Sequence, residues 1–205
     1  MEAPEPAAPP EPSFVAEKRR IRGEVRRRRR SLSPEQRLAA AAGLAEHLAR
    51  LVRETGARSL SCYLAMPGEP DTAAFLEWAT GTGLDVLLPK SLEGHRLGWI
   101  RPDGRGTVVG AHGISEPIGE LLPGTAVGAV DLMLIPASAV DLRGMRMGWG
   151  LGYYDRCIAS LERRPPIFAI VHDDEVLPEI PAEPHDSPVD GAVTPSRVIR
   201  FAPRG

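Results

Sequence analysis

The segment that most constrains the fold is residues 131–162, DLMLIPASAVDLRGMRMGWGLGYYDRCIASLE. It begins with a short apolar run at 132–135, a length typical of a buried strand. A loop with four glycines follows, and a helical pattern covers 153–162. This order favours a phosphate site, because N–H groups of the loop and of the first helical turn can approach an anion closely. Asp155 in that turn suits such a site if a divalent cation lies between its carboxylate and the phosphate.

The glycines alone leave a second interpretation open, since a glycine-rich connection from strand to helix can be only a turn. The spacing is not that of a P-loop, because no Gly-Lys-Ser/Thr follows. It is not the dinucleotide fingerprint either, because Tyr153 stands where the last glycine is expected. From the residues, the segment is either a phosphate site or a plain turn.

The composition narrows the class of protein. A chain of 205 residues with 42% hydrophobic residues can bury a core, as one sizeable domain or two small ones. A net charge of -2 gives no field that calls for nucleic acid or an anionic membrane. Two cysteines exclude a disulfide framework and fit a reducing compartment. No apolar run reaches the length of a membrane span.

Residues 1–13 are acidic and Pro-rich, unlike a secretory signal, and we expect them to be disordered. We therefore predict a cytoplasmic protein whose folded part spans residues 14–205. The pattern of residues 14–32 is helical and basic, with an apolar stripe. For the arginine run at 26–30 we favour a solvated helix face. An RNA-binding patch is an alternative, although few aromatic residues are interleaved to stack on bases. A third is that one or two of these cations reach a bound phosphate.

Local signals predict the next elements. Ser33, Pro34 and Gln36 form a capping-box start for a helix that reaches about Glu54 and ends at Gly56. Strands at 59–64 and 85–88 flank a helix at 72–80 that Asp71 can cap, which makes a βαβ unit with a parallel sheet. Further strands are expected at 97–100, at an edge, and at 167–171 and 198–201. Residues 110–117 and 122–128 look like loops.

Two clusters contain metal-ligand residue types, His172-Asp173-Asp174 and Pro184-His185-Asp186. Neither has a partner at a recognised spacing, so we interpret both as surface loops.

The chain resembles the 5-formyltetrahydrofolate cyclo-ligases, also called 5,10-methenyltetrahydrofolate synthetases. The resemblance rests on Ile135-Pro136, Asp141, Gly144 and the string Arg146-Met-Gly-Trp-Gly-Leu-Gly-Tyr-Tyr-Asp155-Arg156. Matching segments occur in the same order from about residue 18 to 194. They are residues 18–22, Leu64 with Glu69 and Thr72, residues 88–90, residues 113–117, and residues 189–194.

The resemblance implies a single-domain α/β fold, a three-layer α/β/α sandwich with a mostly parallel central sheet. It also implies ATP- and Mg²⁺-dependent ring closure of 5-formyltetrahydrofolate to 5,10-methenyltetrahydrofolate, with release of ADP and phosphate. In that reaction the formyl oxygen is phosphorylated and N10 attacks the activated carbon. Phosphoryl transfer asks for positioning and charge neutralisation more than for a protein nucleophile. We expect a monomer that acts on small molecules, without nucleic acid or membrane.

The resemblance also implies roles for individual residues. Arg146 and Tyr153 would be catalytic, Leu64 and Glu69 would bind the folate, and Asp155 and Asp190 would hold Mg²⁺. The ATP site would comprise Lys18, Arg19, Arg20, Ile21, Arg22, Arg146, Met147, Gly148, Trp149, Gly150, Leu151, Gly152, Tyr153 and Tyr154. Asp141 would order the loop by accepting N–H bonds.

One departure from the pattern leaves an alternative function open. Trp149 stands where many members of the family have arginine, which removes a cation from the loop. The indole would then pack over the loop or stack on the pterin. The alternative to the enzyme is a protein of the same fold that binds folate or nucleotide without turnover.

Overall fold

The computed structural model describes residues 13–109, 115–183 and 186–202. In these residues the α-helices are α1 (Ser13–Ser31), α2 (Pro34–Thr55), α3 (Ala73–Gly81) and α4 (Tyr153–Ala159). The strands are β1 (Ser59–Ser61), β2 (Asp85–Leu92), β3 (Arg96–Val109), β4 (Ser115–Leu122), β5 (Leu132–Pro136), β6 (Ala139–Asp141), β7 (Arg146–Met147), β8 (Ile167–Ile170), β9 (Val176–Leu177), β10 (Gly191–Val193) and β11 (Val198–Arg200). Short 3-10 helices cover Glu93–His95, Gly124–Ala129 and Asp173–Glu175.

The strands form an eight-stranded sheet in the order β11-β10-β8-β5-β1-β2-β3-β4. Neighbours from β10 to β2 are parallel, whereas β11, β3 and β4 pair antiparallel at the two sides. The βαβ unit β1-α3-β2 and the mostly parallel sheet are therefore confirmed. A second sheet, β7-β6-β9, was not predicted because its strands have only two or three residues each.

Apolar side chains fill both faces of the large sheet, as a three-layer sandwich requires. On one face, α2 and α3 contribute Leu44, Leu48 and Phe75 to a core under the strands. A second core, which includes Ile158 of α4, covers the other face. A smaller third cluster joins Ile21 and Val25 of α1 to Ala139 of β6 and Met147 of β7. Helix α1 is thus held against the segment that carries the glycines.

The capping box at the start of α2 is present as predicted. The Ser33 hydroxyl accepts from Gln36 N–H at 3.2 Å, and Gln36 Oε1 accepts from Ser33 N–H at 2.8 Å. At the other end, Gly56 adopts φ 66° and donates to Arg53 and Val52 carbonyls. Local signals therefore fix both ends of this helix.

Replacing Ser33 with alanine should lower the free energy of unfolding by about 1 kcal/mol, because the first turn loses its side-chain acceptor. Denaturant unfolding measures this change. A Ser31→Ala variant is the control. The Ser31 hydroxyl donates a hydrogen bond to Arg28 O at the end of α1 and does not cap the start of a helix. Equal effects of the two substitutions would contradict the prediction.

The predictions for the segment between β2 and β5 were partly wrong. The predicted edge strand at 97–100 is an interior strand of 14 residues, and β4 is the edge. Strand β2 does not stop at Leu88, because antiparallel pairing with β3 carries it through Pro89 to Leu92. Residues 115–117 and 122–128 were expected as loops, but 115–117 begin β4 and 124–128 belong to a 3-10 helix. Residues 1–12 and 110–114, with Pro184 and His185, lie outside the described residues, and so do parts of the predictions made for 1–13, 110–117 and the His185 cluster.

Candidate active site

A cleft of about 2120 Å³ opens at the carboxyl ends of the parallel strands. Tyr63 and Leu64, which follow β1, line it together with Pro136, which ends β5. The chain runs from β1 towards β2 on one side and from β5 towards β8 on the other, so strand order reverses between β1 and β5. Ligands of open α/β sheets bind at this switch point. The topology therefore places the cleft where a substrate site is expected.

The turn between β6 and β7 is built around Asp141, whose side chain is fully buried. Its carboxylate accepts from the N–H groups of Arg143 and Met145, each at 2.9 Å. Gly144 closes the turn at φ 78°, where an added Cβ would lie 2.7 Å from Val189 O. The prediction that Asp141 orders the loop is confirmed. The turn sets the position of Arg146 on β7.

Arg146 and Asp155 meet in the wall of the cleft. Arg146 Nη2 lies 2.5 Å from Asp155 Oδ1, and the arginine side chain is only 2% exposed. Asp155 Oδ1 also accepts weakly from Ser187 N–H at 3.4 Å. Arg146 Nε has no hydrogen-bond partner among the described residues. A buried guanidinium with an unused donor beside the glycine loop can take an anion.

Helix α1 brings two more cations to the same wall. Lys18 Nζ lies 2.8 Å from both Glu183 Oε2 and Asp186 Oδ2. Burial alone lowers the pKa of the Lys18 ammonium, but the bonds to the two acids outweigh it and raise the pKa. Arg22 Nε donates to Gly148 O at 2.8 Å. Both side chains line the cleft, so Lys18, Arg22 and Arg146 converge as predicted.

The segment after β1 contains the two residues predicted for the folate. Leu64 and Glu69 both line the cleft, in the segment after β1. Glu69 Oε2 accepts from Met66 N–H at 3.0 Å. Burial raises the pKa of the Glu69 carboxyl, although Met66 N–H, Arg29 and the Trp149 side chain oppose the rise. Glu69 is therefore a half-buried acceptor beside the indole of the glycine loop.

The whole glycine loop, from Arg146 to Asp155, lines the cleft. The Tyr153 ring packs edge-on against His95, with 5.4 Å between ring centroids. Tyr154 is half-buried, and burial together with Glu69 holds the pKa of its phenol well above the ordinary value. Helix α4 ends at Ala159, which is shorter than the predicted 153–162.

Three residues predicted for ATP are not among those that line the cleft. Ile21 is buried in the third apolar cluster, where it holds α1 in place. Arg19 and Arg20 are exposed. Arg20 pairs with Glu17 at 2.7 Å and Glu24 at 2.5 Å on its own helix. The helical period turns these positions away from the face that carries Lys18 and Arg22.

The prediction that Asp155 and Asp190 share a metal needs correction. Asp190 precedes β10 at the amino end of the parallel strands and is not among the residues that line the cleft. Its carboxylate accepts from Ile167 N–H at 2.7 Å and pairs with Arg164 at 3.1 Å. This residue ties the start of β8 to β10. Only Asp155 of the two lies in the cleft.

The residues present fit magnesium with one protein carboxylate. Within residues 13–109, 115–183 and 186–202, no group of three or more His, Cys, Asp or Glu residues is arranged to hold a metal. Mg²⁺ often takes one or two carboxylates and completes its shell with phosphate oxygens and water. Asp155 can supply such a carboxylate. His172 is half-buried and lines the cleft, and the residues that follow it, Asp173–Glu175, form a 3-10 helix rather than a plain surface loop.

Two features of the site were missed. Arg29 is buried and paired with Glu175, although it belongs to the run interpreted as a solvated face. Its spacing from Lys18 and Arg22, at i+11 and i+7, is the signal that could have placed it on the inner face of α1. The pairing of Lys18 with Glu183 and Asp186 had no local signal, because more than 160 residues separate the partners.

None of the described helices is both long and apolar enough to cross a bilayer. Cys62 and Cys157 are free and buried. Burial raises the pKa of Cys62 to about 12 and that of Cys157 to about 11, so neither thiol is a ready nucleophile.

Comparisons with known proteins agree with this geometry. The sequence profile of the 5-formyltetrahydrofolate cyclo-ligase family matches residues 15–195. The 5-formyltetrahydrofolate cyclo-ligase of Mycolicibacterium smegmatis is 38% identical over 150 residues, which cover 69% of this chain and 76% of that protein. The 5-formyltetrahydrofolate cyclo-ligase of Escherichia coli (strain K12) is 30% identical over 183 residues, covering 85% and 98%.

A solved structure extends the agreement to the fold. The NMR structure of 5,10-methenyltetrahydrofolate synthetase from Aquifex aeolicus superposes with a TM-score of 0.77 at 29% identity, covering 92% of this chain and 95% of that one. From the profile match, the relatives and the shared architecture, the chain belongs to the 5-formyltetrahydrofolate cyclo-ligase family of enzymes.

Proposed function

We propose that this enzyme converts 5-formyltetrahydrofolate to 5,10-methenyltetrahydrofolate at the expense of ATP, in the presence of Mg²⁺. The observation that carries the proposal is one cleft lined by two chemically different sets of side chains together with the glycine loop. One set is the cations Lys18, Arg22 and Arg146, and the other is Leu64 and Glu69 after β1. Two substrates can therefore meet with their reacting ends at the loop.

The reaction balances without a protein nucleophile. The formyl oxygen attacks the terminal phosphorus of ATP, and the bond to the bridging oxygen breaks to release ADP. The N5 lone pair then stabilises the activated carbon as an iminium. N10 attacks this carbon and loses its proton, and the carbon–oxygen bond breaks to release phosphate. Activation is needed because a formamide oxygen is a poor leaving group until it is phosphorylated.

Different residues of the cleft would bind ATP and the folate. Arg146, with its unused Nε donor, would neutralise charge that develops on the transferred phosphoryl group, and Tyr153 at the end of the loop would orient it. Lys18 and Arg22 would bind the remaining phosphates. Glu69 would accept hydrogen bonds from N–H groups of the pterin, and Leu64 would contact its apolar face.

Asp155 is the residue proposed to hold Mg²⁺, together with phosphate oxygens of ATP. The ion supplies charge neutralisation at the terminal phosphates. Because Asp155 pairs with Arg146 at 2.5 Å, the carboxylate also orients the guanidinium that faces the phosphoryl group. Asp190 has no part in this proposal.

The substrate assay tests the proposal. Purified protein is mixed with 5-formyltetrahydrofolate, ATP and Mg²⁺, and the absorbance of the methenyl product is followed. Product should form only when all three are present. Folded protein that forms no product would exclude the enzyme and leave the alternative motivated by Trp149, a folate- or nucleotide-binding protein without turnover.

Replacing Asp155 with asparagine should lower turnover by about 100-fold or more, because the site loses its metal ligand and the partner of Arg146. Initial rates at saturating Mg²⁺ measure the effect. The matched control is Asp190→Asn, which should keep near-normal turnover and lose only some stability, because Asp190 ties β8 to β10. Equal losses of turnover in the two variants would contradict the assignment.

Activity should also fall at acid pH through Glu69. Its carboxylate must be ionised to accept two hydrogen bonds, and burial raises its pKa above the ordinary value for glutamate. As pH falls through this raised pKa, kcat/KM for the folate should decline, at a higher pH than an exposed glutamate would give. The pH profile of Glu69→Gln should lack this decline. An unchanged profile in that variant would assign the decline to another group.

A monomer in the cytoplasm remains our prediction. Two buried free thiols fit a reducing compartment, which supports the cytoplasmic part of this prediction. An RNA-binding role for the arginine run is less well supported, because Arg29 is buried and does not belong to an exposed patch.

A further inference from the structure

Arg29 differs from every other arginine in the run at 26–30. It is 4% exposed, whereas Arg26, Arg27, Arg28 and Arg30 are exposed. Its guanidinium forms a two-pronged ion pair with Glu175, with Nε at 2.6 Å from Oε1 and Nη2 at 2.8 Å from Oε2. A buried guanidinium with two hydrogen bonds to one carboxylate is held in a single orientation. It can therefore fix the positions of the other groups that it contacts.

The remaining donors of Arg29 bond to two further segments of the chain. Nη2 donates to Ala137 O at 2.9 Å, directly after β5. Nη1 donates to Gly68 O at 3.3 Å, one residue before Glu69. The guanidinium carbon also lies 5.3 Å from the centre of the Trp149 ring in the glycine loop, a cation–π distance. One side chain of α1 thus contacts the segment before Glu69, the residue after β5 and the indole of the glycine loop.

We propose that Arg29 is a positioning residue of the folate subsite, where it holds the turn before Glu69 and the indole of Trp149 at a fixed separation. The inference rests on the proposed function and deepens it. Glu69 and Trp149 then form a preset slot, with an acceptor at its edge and an aromatic face at its side. This arrangement suits a flat, hydrogen-bonding ring such as a pterin.

The charge of Arg29 also acts on Glu69. The groups that face this carboxyl are Arg29 from α1, Trp149 of the loop, and the phenols of Tyr63 and Tyr154. Burial raises the pKa of Glu69, and Arg29 opposes that rise. Burial holds the pKa of both phenols well above their ordinary value, so neither titrates below neutral pH.

The test compares Arg29→Gln, Arg29→Lys and the control Arg27→Gln, which removes an exposed charge from the same helix. In Arg29→Gln, KM for 5-formyltetrahydrofolate should rise about tenfold or more, while KM for ATP changes by less than about twofold. The acid decline of kcat/KM should move to higher pH. Lysine should restore its position, because the charge returns, but not the KM, because an ammonium cannot make all the contacts. Arg27→Gln should match the wild type.

Glu69→Gln is combined with the wild type and with each Arg29 variant to show whether Glu69 causes the acid decline. This control is needed because His172, whose N–H bonds Glu175, also titrates, and burial lowers its pKa. If Arg29→Gln does not fold, Arg29→Met with Glu175→Gln serves instead, since it removes both charges and leaves an acceptor for His172 N–H. Circular dichroism and thermal unfolding establish that each variant is folded.

Folate binding without ATP, measured by calorimetry, separates the inference from the proposed function. If the wild type turns over and a folded Arg29 variant has a normal KM for 5-formyltetrahydrofolate, the inference about Arg29 is overturned and the proposed function stands. An equal rise of KM for both substrates would also overturn it, because it would indicate general loosening. A wild-type protein that neither turns over nor binds 5-formyltetrahydrofolate would overturn both. Weakened folate binding in Arg29→Gln, with ATP binding retained, supports it.

Discussion

Replacing Arg146 with alanine is expected to lower kcat/KM by about 10³-fold, the scale seen when an arginine that stabilises a transferring phosphoryl group is lost. The guanidinium is buried, it pairs with Asp155 at 2.5 Å, and no group of the described residues bonds its Nε. A transition state that delocalises charge over phosphoryl oxygens can take this donor, whereas the ground state needs it less. The loss should therefore fall mainly on kcat.

The control for this prediction is Arg20→Ala. The resemblance placed Arg20 in the ATP site, but its side chain is exposed and pairs with Glu17 and Glu24. Turnover should stay within about twofold of the wild type, because surface ion pairs contribute little. Steady-state rates and melting curves of both variants make the comparison. Loss of activity in Arg20→Ala equal to that in Arg146→Ala would contradict the separation of the two residues.

Replacing Gly144 with alanine should destabilise the protein by roughly 3 kcal/mol. The left-handed backbone, at φ 78°, costs about 1–2 kcal/mol for alanine. The new Cβ would also lie 2.7 Å from Val189 O and 3.0 Å from the Phe201 ring, so the turn must shift. In a chain of this length, the expected fall in Tm is about 6–12 °C. Activity should fall as well, because the turn sets Arg146.

Gly104→Ala separates the two causes. Gly104 also has a left-handed backbone, at φ 80°, but no atom of the residues that the structure describes lies within 4 Å of its added Cβ. This variant should lose only the part due to backbone strain, about 1–2 kcal/mol, and keep full activity. Thermal unfolding and turnover are measured for both. Similar losses of stability would show that the close contacts at Gly144 are relieved at no cost.

Elements with strong local signals were predictable. Helix α2 follows from a capping box and a terminal glycine, and β5 follows from an apolar run of strand length. The hairpin of β3 and β4 was not predictable in this way. Residues such as Arg101, Asp103 and Gly104 break the apolar pattern, and their strand is stabilised by pairing with β4 rather than by an apolar pattern of its own.

The site was predictable where the glycine string fixes it, and less so elsewhere. Lys18, Arg22, Leu64 and Glu69 converge on the cleft, but only the fold brings them together. Asp190 matched the family by residue type, while its place at the amino end of β10 depends on the sheet. Arg29 was hidden in a basic run, because its burial depends on Glu175, which lies 146 residues away in the sequence.

In the proposed reaction, the cleft brings the terminal phosphate of ATP against the formyl oxygen. The most direct test uses 5-formyltetrahydrofolate labelled with oxygen-18 at the formyl group and analyses the released phosphate by mass spectrometry. If the oxygen is phosphorylated and leaves with phosphorus, the label appears in inorganic phosphate in one-to-one ratio with the methenyl product. Methenyl product formed with unlabelled phosphate would contradict the account.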